Sequence, residues 1–152
     1  MKQNLILLLI TLASFKIYSQ TTKNEYDEEL AISLGADDYG MKSYIFVILK
    51  TGPVVIENKT VRDSLFSGHL KNIKRLADED KLVVAGPLGK NDLNYRGIFI
   101  LNVKTMEEAE KLLDTDPAIK EKLLATEIFS WYGSAALPEY LKVASKIQKI
   151  SF

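Results

Sequence analysis

Few side chains in this sequence have the chemistry to move a proton near neutral pH. The chain holds one histidine, His69, and no cysteine. Of the unperturbed side chains imidazole titrates closest to neutrality, so His69 is the leading candidate for a general acid or base. At about 100° per residue it falls between Ile73 and Leu76, inside the apolar sector of its helix. An imidazole placed there has left bulk water and needs a hydrogen-bond partner, a need that a backbone carbonyl in the core also meets. Asp116 likewise has two readings. Immediately before Pro117 it suits the N-cap of a short helix; its carboxylate is also able to orient the His69 ring and raise its basicity. Separation along the chain leaves both readings open. Arg96 and Lys50 are either cations that receive a substrate carboxylate or ordinary solvated charges. Gly86-Pro87 would shape an adjoining loop, and Trp131 or Phe46 would give a cleft its apolar wall.

Composition removes several classes of function. Without cysteine there is no disulfide, no thiolate zinc site and no lipoprotein anchor. One histidine excludes a multi-histidine metal site, and no acidic run has the spacing of a calcium loop, so neither metal nor cofactor is expected. The G-x-x-x-x-G-K-[ST] and G-x-G-x-x-G phosphate loops and the G-x-S-x-G nucleophile elbow are all absent. Gly133-Ser134 reads as a turn after the last strand. The chain carries 20 basic and 20 acidic residues; Lys2 and Lys16 fall within the first twenty, so residues 21–152 hold 18 against 20. That balance, with no basic stripe, argues against a nucleic-acid partner.

The elements that must position His69 and Asp116 follow from hydrophobic periodicity. Tyr44–Leu49 is an apolar, β-branched and aromatic run ended by Gly52-Pro53, which predicts a buried strand. Val61–Asp80 reads as a helix with Leu65, Phe66, Leu70, Ile73, Leu76 and Ala77 on one face. Leu82–Ala85, closed by Gly86-Pro87, and Ile98–Val103 are two more strands around a polar loop at Gly89–Tyr95. Thr105-Met106-Glu107-Glu108 is a capping box that opens a second helix. Asp116-Pro117 stops that helix and starts a short turn; Leu124–Trp131 is a fourth strand, and Leu137–Lys149 a terminal helix.

The order is β-α-β-β-α-β, a ferredoxin-like α+β fold. Two helices cover one face of such a sheet. The first strand is nevertheless apolar on both faces, Phe46 and Ile48 on one and Ile45, Val47 and Leu49 on the other. The uncovered face therefore predicts a homodimer with sheets packed face to face.

Before this domain, Lys2, the apolar stretch from Leu5 to Phe15 and the polar tail Tyr18-Ser19-Gln20 form a secretory signal pattern over residues 1–20. Its apolar run is shorter than the roughly 20 residues of a membrane span. The mature protein is accordingly expected to be exported, periplasmic or secreted, with no membrane segment. Residues 21–41 are a polar lead-in with a helical turn near Asp27–Leu34, the domain proper spans 42–134, and 135–152 form a C-terminal extension.

The span Gly68–Leu88, GHLKNIKRLADEDKLVVAGPL, resembles the hallmark of the YCII-related (YciI-like) domain family. In that pattern a histidine on the first helix leads through a polar turn to a strand ending Ala-Gly-Pro. Arg96–Ile100, Glu107-Glu108-Ala109, Asp116-Pro117 and Trp131-Tyr132-Gly133 extend the likeness over about residues 42–134. The resemblance implies a dimeric α+β barrel and an active site built on a histidine and an aspartate, here His69 and Asp116. It also implies lyase or isomerase chemistry on small unsaturated, often ring-derived acids. Two features depart from the pattern: the export signal, and Asp80 in a turn where glycine is usual. Two functions follow as expectations. One is an enzyme that uses His69 as proton shuttle and Asp116 as its orienter, with Gly86, Pro87 and Trp131 around the ligand. The other is a non-catalytic dimer that binds a small acid or a protein partner in the same cleft.

Overall fold

The computed structural model describes residues 25–150, so the signal segment expected at 1–20 lies outside the described residues. In chain order the elements are α1 (Glu28–Leu34), β1 (Met41–Thr51), α2 (Lys59–Asp78), β2 (Leu82–Pro87), β3 (Tyr95–Leu101), α3 (Met106–Leu113), α4 (Pro117–Lys120) and β4 (Leu124–Ser134). A single 3-10 turn over Leu137–Tyr140 then leads into α5 (Leu141–Ile147). No helix among the described residues is long and apolar enough to cross a membrane.

The four strands form one antiparallel sheet in the order β2-β3-β1-β4, with Val47 opposite both Phe99 of β3 and Ile128 of β4. This is the ferredoxin-like βαββαβ arrangement, in which the connections through α2 and α3 lie on one face. That face carries the main core. Ile45, Val47 and Leu49 of β1 meet Leu76 of α2, Ala109 and Leu113 of α3, and Phe99 and Leu101 of β3. The strand period of two puts Tyr44, Phe46, Ile48 and Lys50 on the opposite face. There Tyr44, Val83 and Ile100 make a second, smaller cluster, covered in part by Leu137.

Several expected boundaries move. β1 and β4 are each longer than the apolar runs that marked them, because their ends pair with one another: Met41 is opposite Ser134 and Thr51 opposite Leu124. Gly133-Ser134 is therefore not a turn but the end of β4, and the Trp131 ring lies over Gly133 where any Cβ would stand. The capping box is displaced by one residue on its return leg. Thr105 accepts the Glu108 N–H at 3.1 Å, while the Glu108 carboxylate accepts the N–H of Lys104, 3.2 Å away, and not that of Thr105. The terminal helix begins four residues later than expected, after the 3-10 turn that holds Pro138.

Candidate active site between the long helix and the sheet

α2 starts at an Asn58 N-cap and runs across the sheet for 20 residues. Its buried residues are His69, Asn72 and Leu76, whereas Phe66 and Leu70 are about two-fifths exposed. The apolar face read from the sequence is thus split between two environments. Leu76 seals onto the sheet, and Phe66 and Leu70 overhang a cleft of about 930 Å³ between α2, the ends of β2 and β3, and α5. Leu49, Phe66, Leu70, Ile73, Phe99 and Leu124 supply its apolar walls.

His69 stands in that cleft between two rings. Its imidazole stacks on Phe99 of β3 with centroids 5.9 Å apart and a 22° interplanar angle. Phe66, one turn earlier on α2, meets it edge-on at 6.4 Å. Nδ1 lies 2.6 Å from Oδ2 of Asp116, a fully buried residue. A carboxylate only accepts, so this bond places a proton on Nδ1, and in the neutral ring Nε2 is then the nitrogen that carries the free lone pair. No polar side-chain atom that is fully buried among the described residues lacks a partner. Nε2 has no hydrogen-bond partner among the described residues, so it is not fully buried, and His69 lines the cleft.

The Asp116 carboxylate makes the contacts that both readings called for. Oδ1 caps α4 by accepting the N–H groups of Ala118 at 2.9 Å and Ile119 at 3.4 Å, and Pro117 takes the first helical position. Oδ2 remains for His69. One carboxylate therefore fixes the start of α4 and the ring of His69 together. The close approach of the two segments depends on Gly68, where a Cβ would stand 2.6 Å from Cγ of Pro117.

Gly86 and Pro87 line the cleft at the end of β2, as does Arg96 of β3. Arg96 Nε donates to Thr51 Oγ1 at 2.6 Å, which leaves its two Nη groups directed elsewhere. Arg62, one helical repeat before His69, lines the same cleft and donates from Nη1 to the Ile56 carbonyl at 2.9 Å. Sequence reasoning passed over Arg62, although its spacing of seven from His69 puts both on one helix face.

Trp131, Phe46 and Lys50 are not in the cleft. Strand parity sends all three to the other face of the sheet. There Trp131 packs on Tyr44 at 5.6 Å and Phe46 on Phe129 at 6.4 Å. Lys50 pairs with Glu127 at 2.6 Å, and that bond holds the Glu127 carboxyl below the usual carboxylate range. The apolar wall expected from Trp131 comes instead from Phe66 and Phe99. Three residues of the C-terminal segment, Leu141, Ala144 and Gln148, also face the cleft.

The family model described as YCII-related domain matches residues 44–132. Among solved structures, 5-chloro-2-hydroxyhydroquinone dehydrochlorinase from Burkholderia phenoliruptrix AC1100, in complex with 2,5-dihydroxybenzoquinone, is similar to this chain at 24% identity. The match covers 57% of this chain and 92% of that one, with a TM-score of 0.41. No curated protein matches the chain.

Proposed function

The chain belongs to the YCII-related domain family, and we propose that it is a small-molecule-converting enzyme in which His69 and Asp116 act as an acid–base pair. One observation carries this reading: the 2.6 Å contact between His69 Nδ1 and a buried Asp116, with His69 lining an apolar cleft. Nε2 takes a proton from a carbon or hydroxyl of the bound molecule. The Nδ1 proton stays on the Asp116 bond, and the carboxylate stabilises the imidazolium that forms. Return of the proton to a second atom of the same molecule shifts a double bond, which is an isomerisation. Loss of a leaving group from the neighbouring carbon, as the C–H electron pair becomes the new double bond, is a lyase step. A single positioned acid–base group contributes roughly 10²–10⁴ in rate, so the pair suits reactions with activated protons.

The proposed ligand is a small unsaturated acid. Apolar walls suit its carbon skeleton, and Arg62 and Arg96 are guanidinium groups at the cleft able to receive a carboxylate. Export is proposed on the signal pattern of residues 1–20, and a homodimer on the uncovered sheet face, where Phe129 is 47% and Trp131 37% exposed. A concentration-independent monomer in sedimentation would sink the dimer.

The test of function is solvent deuterium exchange into a panel of small unsaturated carboxylic acids, followed by NMR. The wild-type chain is expected to label at least one of them, and His69→Ala, with an unchanged circular dichroism spectrum, to lose that labelling. A fully active His69→Ala ends the enzymatic reading. Binding without exchange by the wild type moves the function to a non-catalytic ligand-binding dimer.

A further inference from the structure

α2 meets the segment 115–117 at two places, one on each side of His69. On the N-terminal side, Gly68 and Pro117 are in contact, which sets how close the two backbones can come. On the C-terminal side the tie is polar. Arg75 donates from Nη2 to Asn72 Oδ1 and to Thr115 Oγ1, each at 2.8 Å. Its Nη1 donates to both oxygens of Glu79 at 2.9 Å. The single Thr115 hydroxyl proton has two acceptors in reach, the Leu112 carbonyl at 2.6 Å and Asn72 Oδ1 at 3.1 Å, and in either case its oxygen accepts from Arg75. Asn72 is buried, and its carbonyl is the inner anchor of the set.

The Asp116 carboxylate has no slack of its own, because Oδ1 is fixed by the N–H groups of α4. Its distance from His69 therefore follows from how the start of α4 is held against α2. The Gly68–Pro117 contact is repulsive at short range and sets the minimum separation. The Arg75–Thr115 bond is attractive and opposes opening on the other flank.

We propose that Arg75, through Asn72 and Thr115, is a positioning residue that sets the hydrogen bond between His69 and Asp116. The inference rests on the acid–base reading of that pair. Arg75 makes no contact with the cleft; it acts on the residue preceding the carboxylate.

With one histidine in the chain, two readouts report this site alone. The first is the Nδ1 proton resonance, which moves downfield when it is bonded to a carboxylate. The second is the rate at which diethyl pyrocarbonate acylates Nε2, whose nucleophilicity rises with that bond. Thr115→Val removes the acceptor for Arg75. It is expected to shift the proton upfield or broaden it away and to slow acylation by roughly fivefold, the size of one ordinary hydrogen bond lost. Thr115→Ser keeps the oxygen and is expected to behave as wild type. Should Thr115→Val fail to fold, Arg75→Gln removes the same bond and is held to the same expectation. Asp116→Asn serves as the control. If it changes both readouts while Thr115→Val changes neither, the positioning role is overturned and the acid–base pair stands. If Asp116→Asn itself changes neither, the acid–base reading falls and takes the inference with it. Failure of Thr115→Ser to restore the signal assigns the effect to packing and also overturns the proposal.

Discussion

Asp116 Oδ2 lies 2.6 Å from His69 Nδ1, and the Asp116 side chain is 1% exposed. A buried acceptor that loses its donor costs more than the bond returned when it formed. His69→Ala is therefore expected to destabilise the protein by about 1–3 kcal/mol in urea unfolding. Asp116→Ala loses the same bond and the N-cap of α4, worth about 1 kcal/mol more. Since both single variants break one shared bond, the double variant is expected to lose less than their sum. Strict additivity would mean that the two side chains do not interact.

Gly68→Ala sets two known magnitudes against each other. Alanine in a helix interior gains about 1 kcal/mol over glycine. Its Cβ, however, would stand 2.6 Å from the Pro117 ring, and overpacking of this kind costs about 1–3 kcal/mol. Net destabilisation is expected, together with loss of the downfield His69 proton signal as α4 is pushed from α2. A stabilised variant that keeps the signal would show that the two segments can part without disturbing the pair.

Asp80 closes α2 in the left-handed region at φ 56, with Lys81 N–H on the Leu76 carbonyl at 2.9 Å and its own N–H on that of Ala77 at 3.1 Å. That pairing is the helix stop at which glycine carries no Cβ penalty. Asp80→Gly is expected to raise stability by roughly 0.5–1 kcal/mol, since the left-handed strain removed exceeds the entropy of a freer unfolded chain. A lower thermal midpoint for the variant would contradict this.

Tyr132 of β4 donates its hydroxyl to Asp37, in the turn before β1, and that bond holds the Asp37 carboxyl below its usual range. A depressed carboxyl contributes stability above its unfolded value that is lost as pH falls through the folded one. The gap in thermal midpoint between wild type and Asp37→Asn should thus be widest near neutrality. It should shrink once pH drops below about 3.9 and close beneath the folded value. A gap that is constant with pH would detach it from the charge of Asp37.

Leu141 and Ala144 place one side of α5 against the cleft, with Gln148 just beyond its end, and the segment is pinned just before it by the Tyr140 hydroxyl on the Val83 carbonyl. Removal of residues 141–152 keeps that anchor and takes away the wall. The truncated chain is expected to bind the dye 8-anilinonaphthalene-1-sulfonate more strongly and to react faster at His69 with diethyl pyrocarbonate. Unchanged rates for both would mean that α5 does not bound the site.

The local rules were legible before any fold was known. Turn residues and alternating apolar runs marked the strand-helix order, and Asp-Pro marked a helix start, because each depends on neighbours a few positions apart. The same order implied one covered and one uncovered sheet face. What escaped the sequence was the destination of each face. Trp131 and Phe46 were equally good cleft residues until strand pairing sent them to the opposite side from His69. Phe66 and Leu70 looked like core, but the packing of α2 leaves them over the cleft and not sealed on the sheet. The pairing of His69 with Asp116 belongs to the same class, as does the tie between Arg75 and Thr115. Each joins segments distant along the chain through the angle at which α2 crosses the sheet and the closeness that Gly68 permits. Periodicity assigns a residue to a face, but only the packing of elements against one another decides what that face meets.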